Sequence, residues 1–166
     1  MCKDLDEVYG VTSRARDHTR SLSVALSAGS IPETGQPTFA LPDDEMEVGM
    51  GAHGEPGVYR SKLMAADPLV DMMVARLLAD LPYQGGDEVC ALVNGCGSTT
   101  MMELLIVNRR LQHCLREASM PVHDTIVGNF LTTQEMAGFS ITLLKLDDEL
   151  RHYYDMPADS FAFKKL

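Results

Sequence analysis

Tryptophan is absent from this chain of 166 residues, and phenylalanine and tyrosine contribute only five residues each. A core without large rings has to rest on Leu, Val, Ile and eleven methionines, which read as gap-filling core residues rather than a sulfur ligand set. No apolar run is long enough to span a bilayer and no N-terminal signal pattern is present, so the expected location is the cytosol. Positive charge is scarce as well. Fourteen Lys and Arg against 24 Asp and Glu give a formal net charge of −10, which favours solubility and speaks against nucleic acid or an anionic membrane as partner. The four cysteines, Cys2, Cys90, Cys96 and Cys114, have no Cys-x-x-Cys spacing. They fit a reducing compartment, with Cys90 and Cys114 read as small buried apolar residues rather than redox groups. His18, His113, His123 and His152 lack any mutual ligand spacing such as His-x-x-x-His, and surface or satisfied core positions are expected for each. No internal repeat or low-complexity segment appears.

What is present fits one domain over 1–166, because 45% hydrophobic residues suffice for a single core. The pattern predicts a helix near 3–19 through Leu5, Val8, Tyr9 and Ala15, a strand at 21–27, and a Pro/Gly-rich loop over 28–44. A helix over 68–81 follows, capped by Asp67, opened by Pro68 and striped by Val70, Met73, Val74, Leu77, Leu78 and Leu81. After Gln84-Gly85-Gly86-Asp87, a strand is expected at 88–93. The next helix, 101–118, carries a Thr100-x-x-Glu103 capping box and turns Met101, Leu104, Leu105, Leu111 and Leu115 inward. Strands near 121–130 and 138–145 and a short helix near 147–155 complete the chain. The Asp147-Asp148-Glu149 run suits that last helix's N-terminal dipole without any metal. Strands outside a regular βαβ alternation predict an α+β two-layer sandwich, a mixed or antiparallel sheet with helices on one face.

The most informative segment is Gly49-Met50-Gly51-Ala52-His53-Gly54-Glu55-Pro56-Gly57, one histidine among four glycines. Met46, Val48 and Met50 alternate with Glu45, Glu47 and Gly49 before it, the pattern of a strand with one buried face. Glycines there let another molecule approach the backbone, and His53 is the side chain able to act as a nucleophile near neutral pH. Three other readings compete. Gly49-x-Gly51-x-x-Gly54 matches a dinucleotide-binding pattern, but Glu55-Pro56-Gly57 continues a turn instead of opening a helix. His53-Gly54-Glu55 resembles the His-x-Glu of zinc deaminases, yet the required Cys-x-x-Cys is missing. A purely structural turn with a solvated His53 also satisfies the physics. A second loop, Asn94-Gly95-Cys96-Gly97-Ser98-Thr99, sits between a strand and a helix N-terminus, where an anion or a polar ligand oxygen could bind. It lacks the lysine of a P-loop, and a glycine turn plus helix cap is the favoured reading over a direct ligand contact.

The run Glu47–Gly57 resembles the signature of the dihydroxyacetone kinases, in their substrate-binding K domain. Ser23-Val24-Ala25-Leu26-Ser27, Leu92–Thr99 and Glu135–Leu144 resemble further runs of that family, in its order and spacing, so the similarity covers nearly the whole chain. The resemblance implies that His53 forms a covalent hemiaminal with the ketone carbon of dihydroxyacetone, with Gly51 and Gly54 as substrate-binding positions. Ala52 departs from the pattern, standing where a larger aliphatic residue is usual, and Cys96 and Ser98 vary the second loop. The resemblance covers the second half of the K domain. The first half, with its acid/base pair, and the helical nucleotide-binding L domain have no counterpart in these residues.

An imidazole that adds to a carbonyl selects short ketoses over polyols such as glycerol and fixes the hydroxyl that is to be phosphorylated. The resemblance thus implies part of a dihydroxyacetone kinase for which this chain itself binds no cofactor. The phosphoryl donor would be ATP-Mg in an L domain or a phosphotransferase-system relay through a separate L-type subunit. The implied partners are that L-type unit and the first half of the K domain, and a homodimer is compatible with the family. The alternative from another class is a non-catalytic protein that senses dihydroxyacetone for gene regulation.

Overall fold

The computed structural model describes residues 4–51 and 55–165. A six-stranded sheet organises them, in the order β3-β2-β1-β6-β4-β5. Its strands are β1 (Thr19–Ala25), β2 (Glu45–Val48), β3 (Tyr59–Lys62), β4 (Val89–Gly95), β5 (Val122–Gly128) and β6 (Gly138–Lys145). All neighbours are antiparallel except β4 and β5, which run parallel at one edge. The sheet is therefore mixed, and the α+β architecture expected from the pattern is the one found.

Two long helices, α2 (Ala66–Asp80) and α3 (Met101–Glu117), cover one face. Alternation along the strands makes this possible. Val89, Ala91 and Val93 of β4 and Phe139, Ile141 and Leu143 of β6 point to the helices, as do Val24, Met46 and Val48. They meet Val70, Met73, Val74 and Leu77 of α2 and Leu104, Val107, Leu111 and Leu115 of α3 in one continuous core. The α3 stripe is narrower than the sequence suggests: Val107 is inside, whereas Met101 and Leu105 are exposed. Positions 104, 107, 111 and 115 follow one helix face, and residue 105 lies about 100° away from it. The Thr100–Glu103 capping box is formed in both directions. Helix α2 begins earlier than expected, so the N-cap is Ala65, which has no side-chain group to cap with, and Asp67 lies inside the first turn, where it pairs with Arg109.

Among the described residues, helices cover the opposite face at one end. There α1 (Leu5–Asp17) and α4 (Asp148–Tyr154) pack Val11, Ala15, Leu150 and Tyr154 onto Cys90, Leu144 and Leu146. Leu5, Val8 and Tyr9, expected on the inner side of α1, face outward. Asp147 caps α4 through Leu150 N–H and pairs with Arg14 of α1, so the acidic run serves the helix end. A short hairpin, β7 (Ala158–Asp159) and β8 (Lys164–Lys165), follows α4. This hairpin and the edge strand β3 were not legible in the sequence. The β3 residues Tyr-Arg-Ser-Lys carry none of the apolar alternation of a half-buried strand. No helix among the described residues is long and apolar enough to cross a membrane.

Candidate functional site

Beyond the α1–α4 end, the second face of the sheet is open and forms a cleft of about 500 Å³. Its floor is made by alternate residues of the three central strands: Ser21 and Ser23 of β1, Ser140 and Thr142 of β6, Leu92 and Asn94 of β4. Its walls are Met50, Gly51, Val58, Cys96, Phe130, Leu131 and Met136. Gly49, Met50 and Gly51 thus border this concavity, a setting suited to a small ligand with a few polar contacts.

How the chain holds that loop is clear from its two feet. Gly49 ends β2 with φ +84°, a left-handed conformation that a side chain would strain, and a Cβ there would come within 2.9 Å of Val58 Cγ2. This bend ends the alternation read from the sequence. Met46 and Val48 face the helices, while Met50 joins Ala25, Cys96 and Met136 in a separate cluster beside the cleft. Gly49 N–H donates to Ser23 O (2.7 Å), and the Ser23 hydroxyl donates to Met50 O. On the return side, Val58 N–H donates to Val48 O (2.7 Å), and Gly51 N–H to Glu55 O (3.0 Å), closing the loop. The Glu55 side chain lies against Gly51 so closely that a Cβ there would collide with it.

Glu47 is the anchor, and the sequence reading missed it by placing it on an exposed face. It is 6% exposed, on the cleft side of β2. Its carboxylate accepts from Gly57 N–H (2.7 Å) and from Arg60 Nε (3.1 Å). Gly57 in turn has no room for a side chain, since a Cβ would meet Val48 O at 2.6 Å and Glu47 Cγ at 2.7 Å. Alternation alone gave no signal for this, because the burial of the second face of β2 shows only in the structure, where a buried carboxylate needs a partner.

The second loop uses its polar groups internally. Asn94, 5% exposed, accepts from Phe130 N–H (2.8 Å) and Leu131 N–H (2.9 Å) and donates to Leu131 O (2.8 Å), clamping the cleft wall. Thr99 donates to Gly138 O (2.7 Å) and accepts from Gly138 N–H (2.9 Å). Cys96 and Ser98 give their N–H groups to Gly138 O and Met136 O. Gly97, at φ +149°, lies so close to Gln134 O that no side chain fits. These bonds and the α3 capping box form the turn and cap read from the sequence.

His53 and Gly54, the sequence-selected reactive and substrate-binding positions, lie outside the described residues, as does Ala52. Gly51 is described, and it belongs to the cleft. The other histidines have local partners: His18 Nδ1 lies 3.3 Å from Lys145 O, His113 lies 3.2 Å from Glu117, and His123 lies 2.6 Å from Asp155. Among the described residues no group of three or more His, Cys, Asp or Glu could hold a metal ion. Burial pushes the Cys90 and Cys114 thiols up to about 11 and raises that of Cys96, so these sulfurs are protonated at neutral pH.

Gly49 and Gly51 thus border a polar-floored cleft on the second side of a mixed sheet in an α+β fold. The sequence matches the Dak1 domain over residues 1–162, and the chain belongs to that family. A Listeria innocua serovar 6a protein, the dihydroxyacetone-binding subunit DhaK of PTS-dependent dihydroxyacetone kinase 2, is 42% identical over 161 residues. That alignment takes in 97% of this chain and 49% of the relative, so the chain spans about half the relative's length. Among solved structures, the dihydroxyacetone kinase operon co-activator Dha-DhaQ superposes with a TM-score of 0.86 at 29% identity, covering 93% of this chain and 48% of that one. The dihydroxyacetone kinase from C. freundii, in complex with AMP-PNP and Mg2+, superposes with a TM-score of 0.77 at 29% identity, covering 93% and 28%.

Proposed function

We propose that residues 1–166 act as one domain, the dihydroxyacetone-binding part of a dihydroxyacetone kinase, and that His53 holds the ketose as a hemiaminal. The observation that carries this reading is the cleft at the foot of the 51–55 loop, in a chain of the Dak1 family. The chemistry needs a neutral imidazole. Its unprotonated nitrogen bonds to the ketone carbon, the C=O π pair moves to oxygen, and that oxygen gains a proton as the other ring nitrogen loses one. Gly51 and Gly54, having no side chains, would leave room for the substrate, and the Glu47–Gly57 bond ties Gly57 to β2.

Phosphoryl transfer depends on positioned cations and phosphate-binding donors, which this reading assigns to a separate L-type domain or subunit. The donor is then ATP-Mg or a phosphotransferase relay, in line with the AMP-PNP and Mg2+ of one similar structure and the PTS-dependence of one relative. The first half of a K domain supplies the remaining pocket walls, and the assembly works in the cytoplasm. The test is incubation with dihydroxyacetone, cold trapping and peptide mass spectrometry. A mass increase on the peptide containing His53, lost in His53→Ala, is expected; modification elsewhere with His53 untouched overturns the assignment.

The close superposition with a co-activator favours a second reading, a sensor that binds the same ketose without transfer. A coupled kinase assay with an added L-type subunit separates the two, because only the kinase part supports turnover.

A further inference from the structure

Most polar side chains in the cleft floor are already satisfied within the chain. Ser23 gives its proton to Met50 O, and Ser21 and Thr142 bond to each other across β1 and β6 (2.7 Å). The Asn94 amide is taken up by Phe130 and Leu131. Ser140 differs from all of these. It stands half-buried in the middle of the floor, opposite Ser23 on one side and Asn94 on the other. Among the described residues its hydroxyl has no hydrogen-bond partner.

Charge is missing from the same surface. Although the chain carries a net charge of −10, no Asp, Glu, Lys, Arg or His occurs among the described residues that line the cleft. An anion entering here would lose water with no cation to replace it, whereas an uncharged ligand escapes that cost. A hydroxyl both donates and accepts, so the free Ser140 side chain matches an alcohol in either sense. A ligand that covers Ser140 without pairing it strands a polar group, and the site therefore discriminates against an analogue lacking the alcohol.

We propose that Ser140 is the specificity-determining residue of the cleft, its hydroxyl bonding one alcohol group of an uncharged short ketose. The inference rests on the ketose reading of the cleft and adds to it a contact on β6.

The test is an NMR titration of the full chain with three ligands: dihydroxyacetone, hydroxyacetone, which lacks one of the two alcohols, and dihydroxyacetone phosphate. The wild type is expected to bind dihydroxyacetone about tenfold more tightly than either of the others. In Ser140→Ala, dihydroxyacetone and hydroxyacetone should come within about twofold of each other, because hydroxyacetone turns its single alcohol to whatever contact remains. Thermal unfolding of Ser140→Ala should match the wild type, since no bond within the chain is lost. Ser140→Thr keeps the hydroxyl and should keep the preference. An unchanged preference in Ser140→Ala, or equal weakening of both ligands, overturns the proposal and leaves the ketose reading in place. So does a phosphate ester that binds as tightly as dihydroxyacetone. A wild type that binds none of the three overturns the ketose reading and the proposal together.

Discussion

Replacing Glu47 tests whether one buried carboxylate sets the loop. In Glu47→Ala, Gly57 N–H loses its 2.7 Å acceptor in a part-buried position beneath the loop's return side. An orphaned buried donor costs about 1–3 kcal/mol. The ion pair with Arg60 adds little, because that guanidinium side chain is 48% exposed and screened; a few tenths to about 1 kcal/mol is its range. The sum, about 3 kcal/mol, corresponds for a domain of this size to a fall in Tm of roughly 6–12 °C. Glu47→Gln keeps a carbonyl oxygen for Gly57 and loses only the charge facing Arg60, so it should cost about 1 kcal/mol. Thermal and urea unfolding by circular dichroism measure both variants. Adduct trapping on His53 at 25 °C, where both remain folded, should fall further for Ala than for Gln. The reasoning is refuted if Glu47→Ala lies within about 0.5 kcal/mol of wild type, or if Gln proves as damaging as Ala.

Three further outcomes follow from the same geometry. The Lys145 ammonium 2.6 Å from Asp87 holds its carboxyl below the ordinary 3.8, so the pair's stabilisation is complete above that value and fades as pH falls through the lower folded value. Asp87→Asn should therefore destabilise by about 1 kcal/mol at pH 7, a difference that shrinks in urea titrations below pH 3.8. Ellman's reagent at pH 8 should label Cys90 and Cys96 only as fast as the protein opens; rapid native labelling of either, located by peptide mapping, would contradict their burial and raised pKa values. Gly97→Ala should cost about 2–3 kcal/mol in chemical unfolding, since the new methyl group meets the Gln134 carbonyl and the backbone is strained; a neutral effect would show that the 133–138 segment yields freely.

The helices were largely legible because their signals are local. The α3 capping box and the α2 stripe Val70, Met73, Val74 and Leu77 appear where the residues place them. The inward face of α3 was overdrawn because leucines and methionines occur on two sides of that helix, and periodicity alone does not say which side meets the sheet. In the site, residue type marked His53, but the roles of Glu47, Asn94 and Thr99 depend on partners between 10 and 39 positions away in sequence. Nothing in Asn94-Gly95-Cys96 announces that its amide will be consumed by Phe130 and Leu131. Likewise, the end of the Met46–Met50 alternation depends on Gly49 taking a positive φ.

The strand order has a bearing on how the polypeptide comes together in time. β6, last of the six to be synthesised, lies in the middle: its partners are β1 on one side, with Thr19 opposite Leu144, and β4 on the other. Until it emerges, β3-β2-β1 and β4-β5 are two separate ribbons, each with a raw edge waiting for the same strand. Gly138, the first residue of β6, also receives the bonds of Cys96 and Thr99. Joining such distant segments makes for slow folding, with unpaired edges open to the wrong neighbours in the meantime. Ribosome-bound chains ending before residue 138 should accordingly be protease-sensitive throughout. Protection of both ribbons should arise together once Lys145 has cleared the tunnel.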